Sequence, residues 1–146
     1  MKIKLQKVIS AGLALVLCLC IVACGGVVQN TDLWQNATYT EDTELGEGSK
    51  TLYIDVVAGE KTVKFTLKTD KETVGDALLE HKLITGEEGA YGMFIKTVNG
   101  IWADYDKTQS YWSFNKNGEY MQNGVDSEKF SDGAHYELIY TSSSDF

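Results

Sequence analysis

Thr51-Leu52-Tyr53-Ile54-Asp55-Val56-Val57-Ala58-Gly59-Glu60-Lys61-Thr62-Val63-Lys64-Phe65-Thr66-Leu67 carries the clearest pattern in the chain. Leu52, Ile54 and Val56 alternate with Tyr53, Asp55 and Val57, and Val63, Phe65 and Leu67 alternate with lysines and threonines. A period of two puts each set on its own face of an extended strand. Ala58-Gly59-Glu60 separates the runs as a turn. The expected structure is a hairpin with one apolar and one polar face. The apolar face needs a covering layer.

Val74, Ala77, Leu78 and Leu83, with Leu79 beside them, form an apolar stripe at helical spacing just after the hairpin. The spacing predicts a helix over about 74–83, bounded by Gly86. Thr73 followed by Asp76 approximates a capping box. Strand patterns return from Ala90 onward. Tyr91 to Val98, Ile101 to Ala103, Tyr111 to Asn115, Glu119 to Met121 and about Ala134 to Thr141 read as strands. Asn99-Gly100 and Asn117-Gly118 are strong two-residue turn signals, and Asp132-Gly133 makes another turn. The fold class read from this order is α+β: a small antiparallel β-sheet domain with one helix packed on it, over residues 50–146.

Outward toward the N-terminus the pattern fades. Residues 25–48 are rich in Thr, Asn, Glu, Asp and Gly, without apolar period. Residues 24–49 therefore read as a flexible tether. Before them, MKIKLQK has three lysines and no acid, and Val8 to Ala23 is apolar except for Ser10. That stretch is short for a membrane-spanning helix, which needs roughly 20 residues. Residues 1–23 read as a secretory signal. It ends in Ile21-Val22-Ala23-Cys24, which resembles a bacterial lipobox. Lipidation is expected at Cys24, the thiol accepting diacylglycerol before cleavage, with the protein held on the outer face of the cell membrane.

The chain has 13 lysines, no arginine and 21 acids, a net charge of −8. Without Lys2, Lys4 and Lys7 of the signal, 10 lysines face 21 acids, a net −11. Such a surface repels nucleic acid. Cys18 and Cys20 lie in the apolar run of the signal, so cleavage leaves Cys24 alone, with no intrachain disulfide or cysteine metal site.

A set of short motifs in fixed order gives a family. Thr73-Val74-Gly75-Asp76-Ala77-Leu78-Leu79 comes first. Ser110-Tyr111-Trp112-Ser113-Phe114, Asn117-Gly118-Glu119, Gly124-Val125-Asp126, Asp132-Gly133 and Tyr136-Glu137-Leu138 follow. Together they resemble the domain-of-unknown-function family DUF4430, similar in fold to the C-terminal domain of transcobalamin and intrinsic factor, over about residues 50–143. The resemblance implies a β-grasp-like outline. It also implies a corrinoid site made of two stretches, Ala90, Tyr91, Gly92, Met93, Phe94 and Ile95, and Trp112, Ser113, Phe114, Asn115, Lys116 and Asn117. In the vitamin B12 carriers this domain is one half of a clamp. The helical barrel forming the other half has no counterpart here, which leaves room for a weaker site, a separate second binding domain, or another ligand.

The residue types suit that chemistry. A corrinoid has a broad, partly apolar ring with amides around its rim, and needs aromatic surface and polar rim contacts. Trp112, Tyr91 and Phe114 would supply surface, Gly92 close backbone approach, and Ser113, Asn115 and Asn117 hydrogen bonds. Covering one Trp face is worth roughly 2–3 kcal/mol. A plainer assignment stands beside it: alternate aromatics of these strands fill the core. Trp112 and Phe114 share one strand face, Tyr111 and Ser113 the other, and one set must be covered. Burial of both Tyr91 and Trp112 beneath the helix would remove the ligand reading. Trp102 is a second aromatic candidate. His81 and His135 could each ligate cobalt, but solvated structural roles are expected for both. Glu87, Glu88, Asp104 and Asp106 lack a calcium-loop spacing.

Two functions follow as expectations. One is a lipoprotein, anchored through its lipid, that binds cobalamin or another corrinoid for delivery to a transporter. The other is a cell-surface interaction or adhesion module without a small ligand. No catalytic residues, resident metal or required cofactor are expected, because no Ser-His-Asp order, reactive mature cysteine or metal cluster is present.

Overall fold

The structure, a computed structural model, describes residues 32–146. The expected signal and the expected lipidation site at Cys24 fall outside the described residues.

The hairpin forms as its alternation demands. Strands β2 (Lys50–Ala58) and β3 (Lys61–Thr69) pair antiparallel from Lys50↔Thr69 to Ala58↔Lys61. Gly59, at φ +61°, takes the first turn position, where a side chain would be strained. Leu52, Ile54, Val56, Val63, Phe65 and Leu67 are buried on one face. Helix α1 (Val74–Glu80) buries Val74, Ala77 and Leu78. Thr73 Oγ1 accepts the Asp76 N–H at 3.1 Å, half of the expected capping box. The helix ends before the expected residue 83. Lys82 turns left-handed at φ +55°, and the N–H groups of Lys82 and Leu83 donate to the carbonyls of Leu79 and Leu78. This is a Schellman closure with lysine where glycine is usual.

The remaining strands are β1 (Thr43–Leu45), β4 (Ile84–Gly89), β5 (Gly92–Val98), β6 (Ile101–Trp102), β7 (Ser110–Lys116), β8 (Glu119–Tyr120) and β9 (Ala134–Ser142). A short helix α2 (Tyr105–Thr108) stands between β6 and β7. One sheet runs β1-β3-β2-β9-β7-β8 and a second β4-β5-β6. The fold is α+β. The large sheet is mixed rather than wholly antiparallel, because β9 lies parallel to β2 and β1 parallel to β3. Putting β9 beside β2 buries Tyr136 and Leu138 among the hairpin's apolar residues. Asn99-Gly100 and Asn117-Gly118 are left-handed at both positions, as two-residue hairpin turns require.

Reading residues 24–49 as a tether is corrected from Asp32 onward, and the domain starts there and not at residue 50. Trp34, in the 3-10 turn Leu33–Asn36, is buried, and its indole N–H donates to the Ala58 carbonyl at 2.9 Å. Tyr39 meets the Phe65 ring edge-on at 5.6 Å. The buried Asn99 side chain accepts the Tyr39 N–H at 2.9 Å and donates to the Tyr39 carbonyl at 2.8 Å. Each contact is long-range, so no local period marked it.

The acid side of the pH profile follows from two carboxyls. The backbone N–H of Ser49, and then its hydroxyl, donate to Asp70 and hold it below its ordinary 3.8. A hydrogen bond from the Lys96 ammonium at 3.0 Å does the same for Asp104. Depressed folded pKa values give stability that is in place above pH 3.8 and lost as the pH falls below it. The thermal midpoint is expected to drop in that window, with a shallower drop in the double variant Asp70→Asn/Asp104→Asn. Equal slopes for the two proteins would contradict the assignment.

Candidate functional site

The two stretches singled out above come together in space. Residues Gly89 to Ile95, from the β4–β5 hairpin, and residues Tyr111, Trp112, Phe114 and Tyr120 to Val125 line one cleft of about 240 Å³. The hairpin folds back through the pair Gly89↔Gly92, with Ala90-Tyr91 at its tip. That tip lifts Tyr91 clear of the domain at 95% exposure. Tyr120, on β8, is 63% exposed. Met93 and Met121 are half-buried along the walls.

The floor is aromatic and closed. Trp112 and Phe114 are each 6% exposed. They sit directly across from Tyr140 and Leu138 in the β7–β9 ladder, on the buried face. The Trp112 indole N–H donates to the Ile101 carbonyl at 3.2 Å, and its ring meets Tyr140 edge-on at 5.5 Å. Phe114 stacks on Tyr136 at 5.2 Å. The idea that Trp112 and Phe114 offer an outward platform is corrected here. The strand of the second sheet that follows Asn99-Gly100 supplies Trp112's hydrogen-bond partner, so the ring belongs to the packed interior while only touching the cleft. Tyr91 is the opposite case and is free.

The other expected contacts divide. Ala90, Gly92, Met93, Phe94 and Ile95 line the cleft, although Ile95 is itself buried. Ser113, Asn115, Lys116 and Asn117 are not part of its lining. Ser113 is buried on the opposite strand face, and Lys116 lies 3.6 Å from Glu128. Tyr111, Tyr120, Met121 and residues 122–125 were missed from sequence. Their placement depends on the β7–β8 turn and the following loop folding back over β7, and Met121 N–H to Phe114 carbonyl at 2.9 Å marks that return. Trp102 is half-exposed, with the Lys107 ammonium 5.7 Å above its ring, outside the cleft. His81 sits beside Glu80 at 3.7 Å, and His135 pairs with Asp55 at 3.1 Å, both away from the cleft.

A roomier groove of about 520 Å³ lies among Asp42, Glu44, Tyr53, Asp55, Lys64 and His135. Two of its carboxylates are already engaged: Asp55 lies 3.1 Å from His135, and Asp42 accepts the Lys64 backbone N–H at 2.9 Å. The smaller cleft has exposed aromatic side chains, Tyr91 and Tyr120, beside two half-buried methionines, and is the better candidate. Among the described residues no three His, Cys, Asp or Glu side chains converge as metal ligands.

These features define a small α+β domain with a mixed sheet, one main helix and a hairpin-walled aromatic cleft. The chain belongs to the DUF4430 family, a domain of unknown function, whose model matches residues 71–141. It is similar to a candidate metal-binding protein from Ruminococcus gnavus ATCC 29149 of known crystal structure. The two share 34% identity with a TM-score of 0.61, over 64% of this chain and 98% of that one. Haptocorrin solved in complex with Cbi also matches, at 20% identity and TM-score 0.48, over 67% of this chain and 26% of haptocorrin. Comparison with curated proteins gives no significant match.

Proposed function

We propose that the domain binds a small molecule with a flat, partly apolar face in the cleft between the β4–β5 hairpin and the β7–β8 side. The observation that carries this is the meeting of two sequence-distant stretches around exposed Tyr91 and Tyr120, with Met93 and Met121 half-buried between them. The cleft is smaller than the ~300–1,000 Å³ of an enclosing pocket. A large planar ligand would therefore rest one face or edge on it and leave the other side to solvent or to a second binding domain. The resemblance of Ala90–Ile95 and Trp112–Asn117 to the two corrinoid-touching stretches favours cobalamin or another corrinoid. The floor consists of Trp112 and Phe114, the graspers are Tyr91 and Tyr120, and binding without catalysis is the role. With Cys24 lipidated, the protein would hold this ligand outside the membrane for a transporter.

The test is a titration of the full chain with cyanocobalamin, followed by fluorescence quenching and calorimetry. Saturable binding is expected. Tyr91→Ala is expected to weaken it about tenfold, the loss of one aromatic face. Its thermal midpoint should stay within a degree or so, since Tyr91 touches little of the core. Absence of heat and quenching at millimolar ligand would favour the interaction-module function instead.

A further inference from the structure

We propose that Asp126 is the positioning residue of this cleft: its carboxylate bolts the hairpin that carries Tyr91 to the loop forming the opposite wall. The proposal deepens the binding role given above and rests on it for its ligand arm.

The geometry is a three-part bridge. Asp126 Oδ1 accepts the Met93 N–H at 3.0 Å, just past the hairpin tip. The carboxylate is wedged between two glycines, one on each wall. A Cβ on Gly92 would come within 2.7 Å of Asp126 Oδ1, and a Cβ on Gly124 within 2.6 Å. Gly92 also stands at φ +113°, where a side chain is strained. A Cβ at either glycine would meet the carboxylate first and displace it from its present place between the walls.

The bolt is anchored behind. The N–H groups of Val74 and Gly75, at the start of α1, donate to the carbonyls of Glu128 and Val125 at 2.9 and 2.8 Å. A Cβ on Gly75 would lie 2.9 Å from Asp126 Cα, so helix and loop backbones are in contact. Ser127 N–H to Gly124 carbonyl at 3.2 Å closes the loop on itself. Val74, Gly75 and Val125 are buried, whereas the Asp126 side chain is exposed. The loop therefore has a fixed seat on the helix, and Asp126 carries that fixity across to a hairpin whose own strand, β4, is exposed beyond Ile84. Without the carboxylate, the hairpin tip loses its hydrogen bond to the opposite wall, and the separation of Tyr91 from Met121 is less tightly set.

Three full-chain proteins test this: wild type, Asp126→Ala and Asp126→Asn. Asparagine keeps an acceptor oxygen for the Met93 N–H, and alanine does not. Loss of a hydrogen bond to a charged acceptor corresponds to about tenfold or more. Amide exchange at Met93 is expected to quicken by that factor in Asp126→Ala and to be largely restored in Asp126→Asn, with thermal midpoints nearly equal. Cyanocobalamin affinity should fall in the same order. Unchanged Met93 exchange in Asp126→Ala overturns the proposal. So does unchanged cyanocobalamin affinity in that variant when wild type binds, and the binding role then stands. If wild type itself fails to bind cyanocobalamin, the corrinoid assignment falls, and the exchange measurement alone decides whether Asp126 fixes the hairpin.

Discussion

Trp112→Ala is expected to destabilise the domain by about 3–5 kcal/mol, the usual cost of emptying a buried aromatic site. The ring is 6% exposed, its N–H is engaged by the Ile101 carbonyl, and it packs edge-on against Tyr140. Deleting it opens a void between the two sheets at the point where β5 lies against β7. Urea or thermal unfolding followed by circular dichroism gives the number, and a fall in midpoint of more than ~10 °C is expected. Any loss of ligand binding in this variant would then come through unfolding or a collapsed floor. Tyr91→Ala makes the comparison informative, because there binding and stability should separate. A Trp112→Ala protein that unfolds at the wild-type midpoint would return Trp112 to the surface and undo the description of the cleft floor.

Trp34→Ala carries the second large effect, about 3 kcal/mol or more of lost stability. Trp34 lies 24 positions before Ala58, whose carbonyl it satisfies, and the Lys61 ammonium sits 4.9 Å over the ring. It closes the β2–β3 hairpin at its turn end. Equilibrium denaturation of the single variant measures the effect. A linker residue would change the unfolding free energy by less than ~0.5 kcal/mol, as surface substitutions do. That smaller value would restore the tether assignment for residues 32–49.

The two variants mark where sequence patterns stop being informative. Leu52 and Phe65 were legible because their neighbours two positions away repeat their character. Val74, Ala77 and Leu78 were legible for the same reason at helical spacing. Leu83 also belonged to the core, but the helix ended before it because Lys82 adopts a left-handed cap that no glycine signals. Strand β4 was hidden. Thr85, Gly86, Glu87, Glu88 and Gly89 have neither alternation nor apolar content, and become a strand because β5 pairs with them across a register shift. For the cleft, the two segments were legible as types, but Tyr120 and Met121 were not, since their approach depends on a chain reversal after Asn117-Gly118.

The sequence by itself determined the α+β order, the β2–β3 hairpin and its buried face, the helix and its Thr73 cap, and the left-handed turns. All of these are set by residues within a few positions of one another, through sterics, hydrogen bonding and periodicity. Only the tertiary structure decided which aromatics are buried, where the domain begins and how Asp126 joins the cleft walls. Those outcomes depend on partners brought together by folding, as when Asn99 secures Tyr39 across 60 positions. Alternation can say that Trp112 and Phe114 share a face; whether that face meets water is settled by the second sheet that covers it.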